Sequence, residues 1–161
     1  MDAWLAIASK RDVREYADTP VPEDVLTRIL DAGRLSGSAR NRQQWNFVVV
    51  ETAQVELAAT VHAPSNVLGA ALVVAIVGAA GGMDVGRCAQ NMMLAAWNDG
   101  VASCPNGIND PEAAARICGD EVKTILSFGY PAKPRDPQSR TPEEWSARAN
   151  RKPLAELVRK I

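Results

Sequence analysis

The feature that most constrains this chain is an uncharged run from Val67 to Gly82. Its 16 residues are all Gly, Ala, Val, Leu or Ile, so the segment has to be hidden from water. A helix that spans a bilayer needs roughly 20 apolar residues, and this run is shorter and rich in Gly and Ala. It is therefore expected to carry a fully buried strand, Ala70 to Val77.

The rest of the pattern supplies cover for such a strand. Trp4, Leu5, Ile7 and Ala8 suggest a first amphipathic helix that ends near the run Lys10-Arg11-Asp12-Val13-Arg14. Pro22-Glu23-Asp24 opens a second helix, with a proline early and acids in the first turn; Val25, Leu26, Ile29 and Leu30 form its apolar stripe. Trp45 to Val50 reads as a strand, 53–62 as a short helix, and Asp84 to Asn98 as a long helix that stops at Asp99-Gly100. Ser103 to Gly107 reads as a loop, Pro111 to Cys118 as a helix and Val122 to Phe128 as a strand. The proline-rich stretch 131–142 reads as a surface connection, followed by a terminal helix from Pro153 to Lys160. Strands separated by more numerous helices predict an α+β or α/β sandwich, and 161 residues fit a single domain over 1–161.

Charge and composition narrow the function. The formal net charge is −1 and the basic residues are dispersed, so no nucleic-acid footprint is expected. The three cysteines, Cys88, Cys104 and Cys118, are odd in number. The opening Met1-Asp2-Ala3-Trp4 lacks the pattern of a secretory leader, so free thiols in a reducing cytoplasm are expected. His62 is the one histidine and has no cysteine cluster around it, which makes a zinc site improbable. Neither a Rossmann glycine fingerprint nor a Walker phosphate loop is present.

Four polar segments carry candidate chemistry. Lys10, Arg11 and Arg14 put three cations within five residues, and arginine presents the rigid fork of donors that a phosphate accepts. Ser36 to Trp45 (SGSARNRQQW) mixes hydroxyls, a glycine and amides, and such a loop can approach a polar heterocycle. In Gly100 to Gly107, successive backbone N–H groups can point at one acceptor; Cys104 has no nearby histidine to act as its base. Arg151 and Lys152 precede a proline-opened helix. Taken singly, each reads more simply as a solvated patch or an ordinary loop.

As an ordered set, the four segments resemble the nitroreductase family of FMN enzymes. Ile7 to Tyr16 is similar to its opening basic motif, and Ser36 to Trp45 to its Pro-Ser-x-x-Asn-x-Gln-Pro-Trp loop. Asp84 to Ala96 resembles its long central helix; Gly100 to Pro105 and Leu126 to Pro131 resemble its flavin loop and last core strand. The resemblance implies a central mixed β-sheet flanked by helices in a three-layer α-β-α sandwich, with FMN at a homodimer interface. It also implies hydride transfer from NADH or NADPH through flavin N5 to a small organic substrate, such as a nitroaromatic or quinone, by a ping-pong route. Other flavin chemistry on the same fold (reductive dehalogenation, flavin breakdown) or a non-enzymatic flavin-binding protein are the alternatives. No membrane partner is implied.

The implied cofactor ligands are Lys10, Arg11, Asp12 and Arg14 for phosphate, ribityl chain and ring edge. Ser36, Gly37, Ser38 and Asn41 would reach in from the partner subunit, and Cys104, Pro105, Asn106 and Gly107 would lie along the ring. Arg151 would be a second phosphate ligand, and Asn66 would meet the flavin edge. No side chain is nominated as a catalytic acid or base. Asp12 stands where the family usually has serine, and Gly37 and Gln44 stand where prolines are usual.

Overall fold

A computed structural model describes all 161 residues, Met1–Ile161. The chain divides into two compact units: Arg11–Arg135, and a smaller one made of Met1–Lys10 with Asp136–Ile161.

In the larger unit four strands form one sheet in the order β1-β2-β4-β3: β1 Asn46–Val49, β2 Leu72–Val77, β3 Ala102–Asn106 and β4 Val122–Gly129. All three strand pairs are antiparallel. The parallel component of the sheet is a single bridge, Asp12 to Ser103. The uncharged run is divided: Val67 and Leu68 end a short helix, 72–77 is strand β2, and Gly82 begins the next helix. Every residue of β2 is buried. Fully burying a valine or isoleucine is worth about 1.5–3 kcal/mol, so this strand alone anchors the fold.

Helices cover both faces of the sheet. On one side lie α2, Glu23–Arg34, and α5, Gly82–Asn98. Pro22 caps α2, Glu23 and Asp24 occupy its first turn and Arg34 its last, as the helix dipole favours. Val25, Ile29 and Gly33, four residues apart, form its buried face. Gly33 permits close approach, because a Cβ there would lie 2.7 Å from Phe47 Cζ. This layer packs Ile29, Cys88, Met92 and Ala96 onto Val74, Ile76, Leu126 and Phe128. On the other face α3 (Gln54–Ala58), α4 (Pro64–Leu68) and α6 (Pro111–Cys118) pack Leu57, Val67 and Ala114 against Val73, Ala75 and Ile125. The result is a three-layer α-β-α sandwich.

The smaller unit contains α1, Ala3–Ser9, a single 3-10 turn at Pro137–Ser139, α7, Pro142–Arg148, and α8, Leu154–Leu157. Asp2 caps α1 by accepting the Leu5 N–H. Thr141 and Glu144 form a reciprocal capping box on α7. Trp145 is buried, donates its indole N–H to Pro137 O at 2.8 Å and lies under the Arg140 guanidinium at 4.9 Å.

Several expected boundaries move. Ser103 to Gly107 is not a loop: 102–106 is the edge strand β3, because Ala102 to Asn106 pair in continuous register with β4. The segment 53–62 holds only α3, and α4 was not anticipated. The surface connection 131–142 runs into helix α7, whose signal was Thr-Pro-Glu-Glu followed by a buried Trp. The terminal helix is one turn, Leu154–Leu157, rather than Pro153 to Lys160. No helix is long and apolar enough to cross a membrane.

Candidate functional site

The segment 11–17 is laid along the outer rim of the sheet. Val13 N–H donates to Ser103 O (3.1 Å), next to the Asp12–Ser103 bridge. Farther along, Ala17 N–H donates to Tyr130 O (2.8 Å) and Ala132 N–H to Glu15 O (3.0 Å), on either side of the Tyr16–Pro131 bridge. Val13 is buried against Trp97 and Ala102. Arg11, Asp12 and Arg14 are thereby held beside β3, with Arg14 exposed and Arg11 half-buried.

A buried polar network fastens this arrangement. The Tyr16 hydroxyl lies 2.7 Å from Val13 O, 3.2 Å from Ser127 O and 3.1 Å from Ser127 Oγ. Ser127 Oγ donates to Cys104 O, and Asn106 Nδ2 donates to Cys104 O, Ile125 O and Ser127 Oγ, each at 3.2 Å. Burial pushes the Tyr16 phenol up to about 12, only partly opposed by its hydrogen bond to Ser127, so it stays protonated. Ser103 Oγ and Asn106 Oδ1 are buried without partners.

Strand pairing decides which N–H groups of 104–107 are available. Phe128 O accepts from Ala71 N–H and so faces β2; its neighbours Ser127 and Ile125 face β3. Cys104 and Asn106 sit opposite those two residues, so their N–H groups are spent inside the sheet. Pro105 has no N–H. Gly107, whose carbonyl accepts His62 N–H at 3.0 Å, is the one residue of the four whose N–H is not drawn into the ladder. Pro105 and Gly107 are exposed, whereas the side chains of Cys104 and Asn106 are buried. Asn66 is buried on α4, which packs near β3.

The second loop lies elsewhere. Ser36 is buried at the end of α2 and accepts from Asn91 Nδ2 at 2.8 Å; Ala39 N–H donates to Asp84 Oδ2 at 3.0 Å. Ser38 Oγ accepts Gln43 N–H, and Gly37 and Asn41 are exposed. These ties are to Asp84 and Asn91, toward the start of α5, while the β3 rim meets Trp97 near its end. At 1.5 Å per residue the 84–97 separation is roughly 20 Å. One chain thus brings Arg11, Asp12, Arg14 and 104–107 together and keeps Ser36, Gly37, Ser38 and Asn41 apart from them. Lys10 and Arg151 belong to the smaller unit, where Lys10 N–H closes α1 onto Ala6 O and Arg151 is exposed before α8.

Two residues absent from the sequence reading also line this region. Lys133 and Arg135 border a cavity of about 340 Å³ with Asp12, Arg14 and Glu15. Their signal was the basic spacing just after Gly129-Tyr130-Pro131, hidden in a stretch read only as a connection. A second concavity of about 540 Å³ lies between Leu30 and Arg34 of α2 and Trp45 and Phe47 of the first strand. No three His, Cys, Asp or Glu side chains are grouped to hold a metal.

Residues 7–81 match the profile of the Nitroreductase family. A Methanothermobacter thermautotrophicus protein, provisionally named NADH dehydrogenase/NAD(P)H nitroreductase, is 30% identical over 151 residues, covering 83% of this chain and 79% of that protein. A nitroreductase family protein of Clostridium difficile superposes with a TM-score of 0.81 at 22% identity, over 99% of this chain and 98% of the other. A provisionally named nitroreductase of Desulfovibrio desulfuricans, solved in complex with FMN, gives 0.82 at 23% identity over 100% and 98%. The sandwich, the rim-bound basic segment and the sequence match therefore converge: this chain belongs to the nitroreductase family.

Proposed function

We propose that the chain is an FMN-dependent oxidoreductase that takes hydride from NADH or NADPH and delivers it to a small organic acceptor, such as a nitroaromatic or a quinone. The observation that carries this reading is the fixing of Arg11, Asp12 and Arg14 onto the rim of β3, the strand that leads into Gly107. That arrangement fits a ligand with an anionic tail and a flat hydrogen-bonding ring, and a related fold has been solved with FMN. FMN, when bound, supplies the two-electron relay between nicotinamide and acceptor.

In this reading Arg11 and Arg14 hold negative charge, with Lys10 and Arg151 as further phosphate ligands. Arg14 and the Gly107 N–H are donors aimed at charge that develops on the ring, the kind of preorganised group worth about 3–4 kcal/mol elsewhere. Ser36, Gly37, Ser38 and Asn41 complete the site from a second protomer, so the working form is a homodimer whose two units act as one nitroreductase-like domain. Trp4 and Ile7 on α1 and Leu154 and Leu157 on α8 are more than half exposed, which suits burial against another copy.

The test is direct. Purified protein mixed with FMN should turn yellow and hold the flavin through gel filtration at the mass of a dimer. It should then oxidise NADH or NADPH steadily when a quinone is supplied. Protein that stays colourless, or that binds flavin yet leaves nicotinamide and every acceptor unchanged, would remove the cofactor or the enzymatic half of the proposal respectively. Arg14→Ala should weaken FMN binding at least tenfold, and unchanged affinity would exclude Arg14 as a ligand.

A further inference from the structure

His62 is the one histidine of the chain, and the fold sets its ring against Gly107. Backbone bonds pin its segment: His62 N–H donates to Gly107 O (3.0 Å), Val61 bridges Ile108, and Thr60 O accepts from Asn109 N–H (2.7 Å) and Asp110 N–H (3.1 Å). Thr60 and Val61 are buried, and Pro64 restricts the chain just beyond. The imidazole therefore projects from a fixed backbone. A Cβ on Gly107 would lie 3.1 Å from His62 Cδ2 and 4.0 Å from Nε2. The ring thus fills the space of the side chain that Gly107 lacks.

A Cβ sits about 2.5 Å from its own backbone nitrogen, so His62 Nε2 is within about 6.5 Å of the Gly107 nitrogen. The Gly107 N–H is the donor that the flavin reading aims at the ring, and flat rings stack about 3.5 Å apart. An acceptor stacked on that ring falls within the reach of Nε2. The imidazole is exposed and forms no hydrogen bond or ion pair within the chain. Its neighbours are otherwise engaged: the Asp110 carboxylate accepts Ala113 N–H at the start of α6, and the Cys104 thiol is buried. Imidazole is also the side chain that most readily gives up and regains a proton near neutral pH. The chemistry of the acceptor leaves a place for such a group. A quinone that receives hydride gains two electrons and one proton, and a second proton on oxygen completes the hydroquinone.

We propose that His62 is the acid that completes quinone reduction: its Nε2–H bond breaks as the proton passes to an oxygen of the quinone that is taking hydride, and the ring regains a proton from water. This role rests on the flavin reading, which supplies the hydride from NADH or NADPH.

Wild type, His62→Gln and His62→Ala, each loaded with FMN and reduced by dithionite, are mixed without oxygen with tetramethyl-1,4-benzoquinone or with ferricyanide, which takes an electron and no proton. Flavin absorbance reads each reoxidation. Both variants should slow the quinone reaction roughly a hundredfold, the low end of general acid catalysis, and leave the ferricyanide reaction unchanged. Equal slowing with the two oxidants makes His62 a structural support, and a quinone rate that glutamine preserves makes it only a hydrogen-bond donor; either result overturns the proposal. The lone histidine also gives a readout free of turnover. Its imidazole Cε1–H proton resonance, identified by its absence from His62→Gln, should move when FMN is added to wild type. A resonance that ignores bound FMN places the ring away from the flavin and overturns the proposal as well. Wild type that binds no FMN removes the flavin reading itself, whereas FMN-loaded variants that meet the quinone at the wild-type rate remove only the role of His62.

Discussion

Residues 11–17 and residues 36–43 are both polar segments assigned to one ligand, yet the chain holds them in opposite ways. The first is stitched to the sheet by backbone bonds to Ser103, Tyr130 and Ala132 and by the buried hydroxyl of Tyr16. The second is largely exposed and is tied to α5 through side chains, Asp84 and Asn91. It also carries Arg40, Asn41 and Gln43 at φ of 54, 54 and 50, a left-handed backbone that asparagine tolerates and arginine does not favour. The first segment takes its shape from the interior of its own chain. The second stores conformational cost on the surface, as segments completed by another molecule often do.

Substitutions at two glycines break the contrast most clearly. A Cβ on Gly129 would lie 2.8 Å from Tyr16 Cγ and 2.9 Å from its Cβ, atoms next to the backbone that cannot swing aside. Gly129→Ala should cost roughly 3 kcal/mol, the upper end of overpacking effects, read as a lower urea midpoint at constant slope. Tyr16→Phe comes next, at about 1–1.5 kcal/mol, since it removes the hydroxyl that bonds Val13 O. That hydroxyl has a pH signature as well. The folded protein keeps its proton up to about 12 while the unfolded chain releases it near 10.0, so the folded state binds more protons in this window. The associated stability is present below pH 10 and is lost as pH rises toward 12. Melting scans across that range should show a decline that is smaller in Tyr16→Phe; an equal decline would assign it to other groups, such as Cys88, whose thiol burial pushes up to about 11.

The exposed loop should respond weakly, and in places in the other direction. Arg40→Gly relieves the left-handed strain and should raise stability by about 0.5–1 kcal/mol after the entropy that glycine adds to the unfolded chain. Gly37→Ala should stay within about 0.5 kcal/mol, because its new methyl meets only the end of the flexible Arg87 side chain. A large loss at Gly37 would mean that the two segments are equally rigid.

What the sequence made legible follows the same divide. Strand β2 is an unbroken apolar run, helices α2, α5 and α6 carry periodic apolar faces, α6 with a clear Asp110 cap, and all four lie where expected to within a few residues. Strand β3 was missed because Ser-Cys-Pro-Asn-Gly has turn composition; its strand state comes from pairing with β4 and from Val13, both distant in sequence. Helix α7 was hidden by the prolines before it, although Pro142 at its first turn is a start signal. In the candidate site, the cation run around Arg11 and Arg14 was visible from its chemistry. The selection of the Gly107 N–H over those of Cys104 and Asn106, and the arrival of Lys133 and Arg135 beside Arg14, depend on ladder register that no local pattern contains.

The rim that receives residues 11–13 has one more consequence. An edge strand normally offers a row of free donors and acceptors on which another polypeptide can add itself. Here the acceptor of Ser103 is already occupied by Val13, and two residues on Pro105 has no hydrogen to give. A foreign strand arriving at this border finds alternate positions capped or mute, so the same geometry that prepares a ligand site also keeps crowded copies of the protein from zipping into a continuous sheet there.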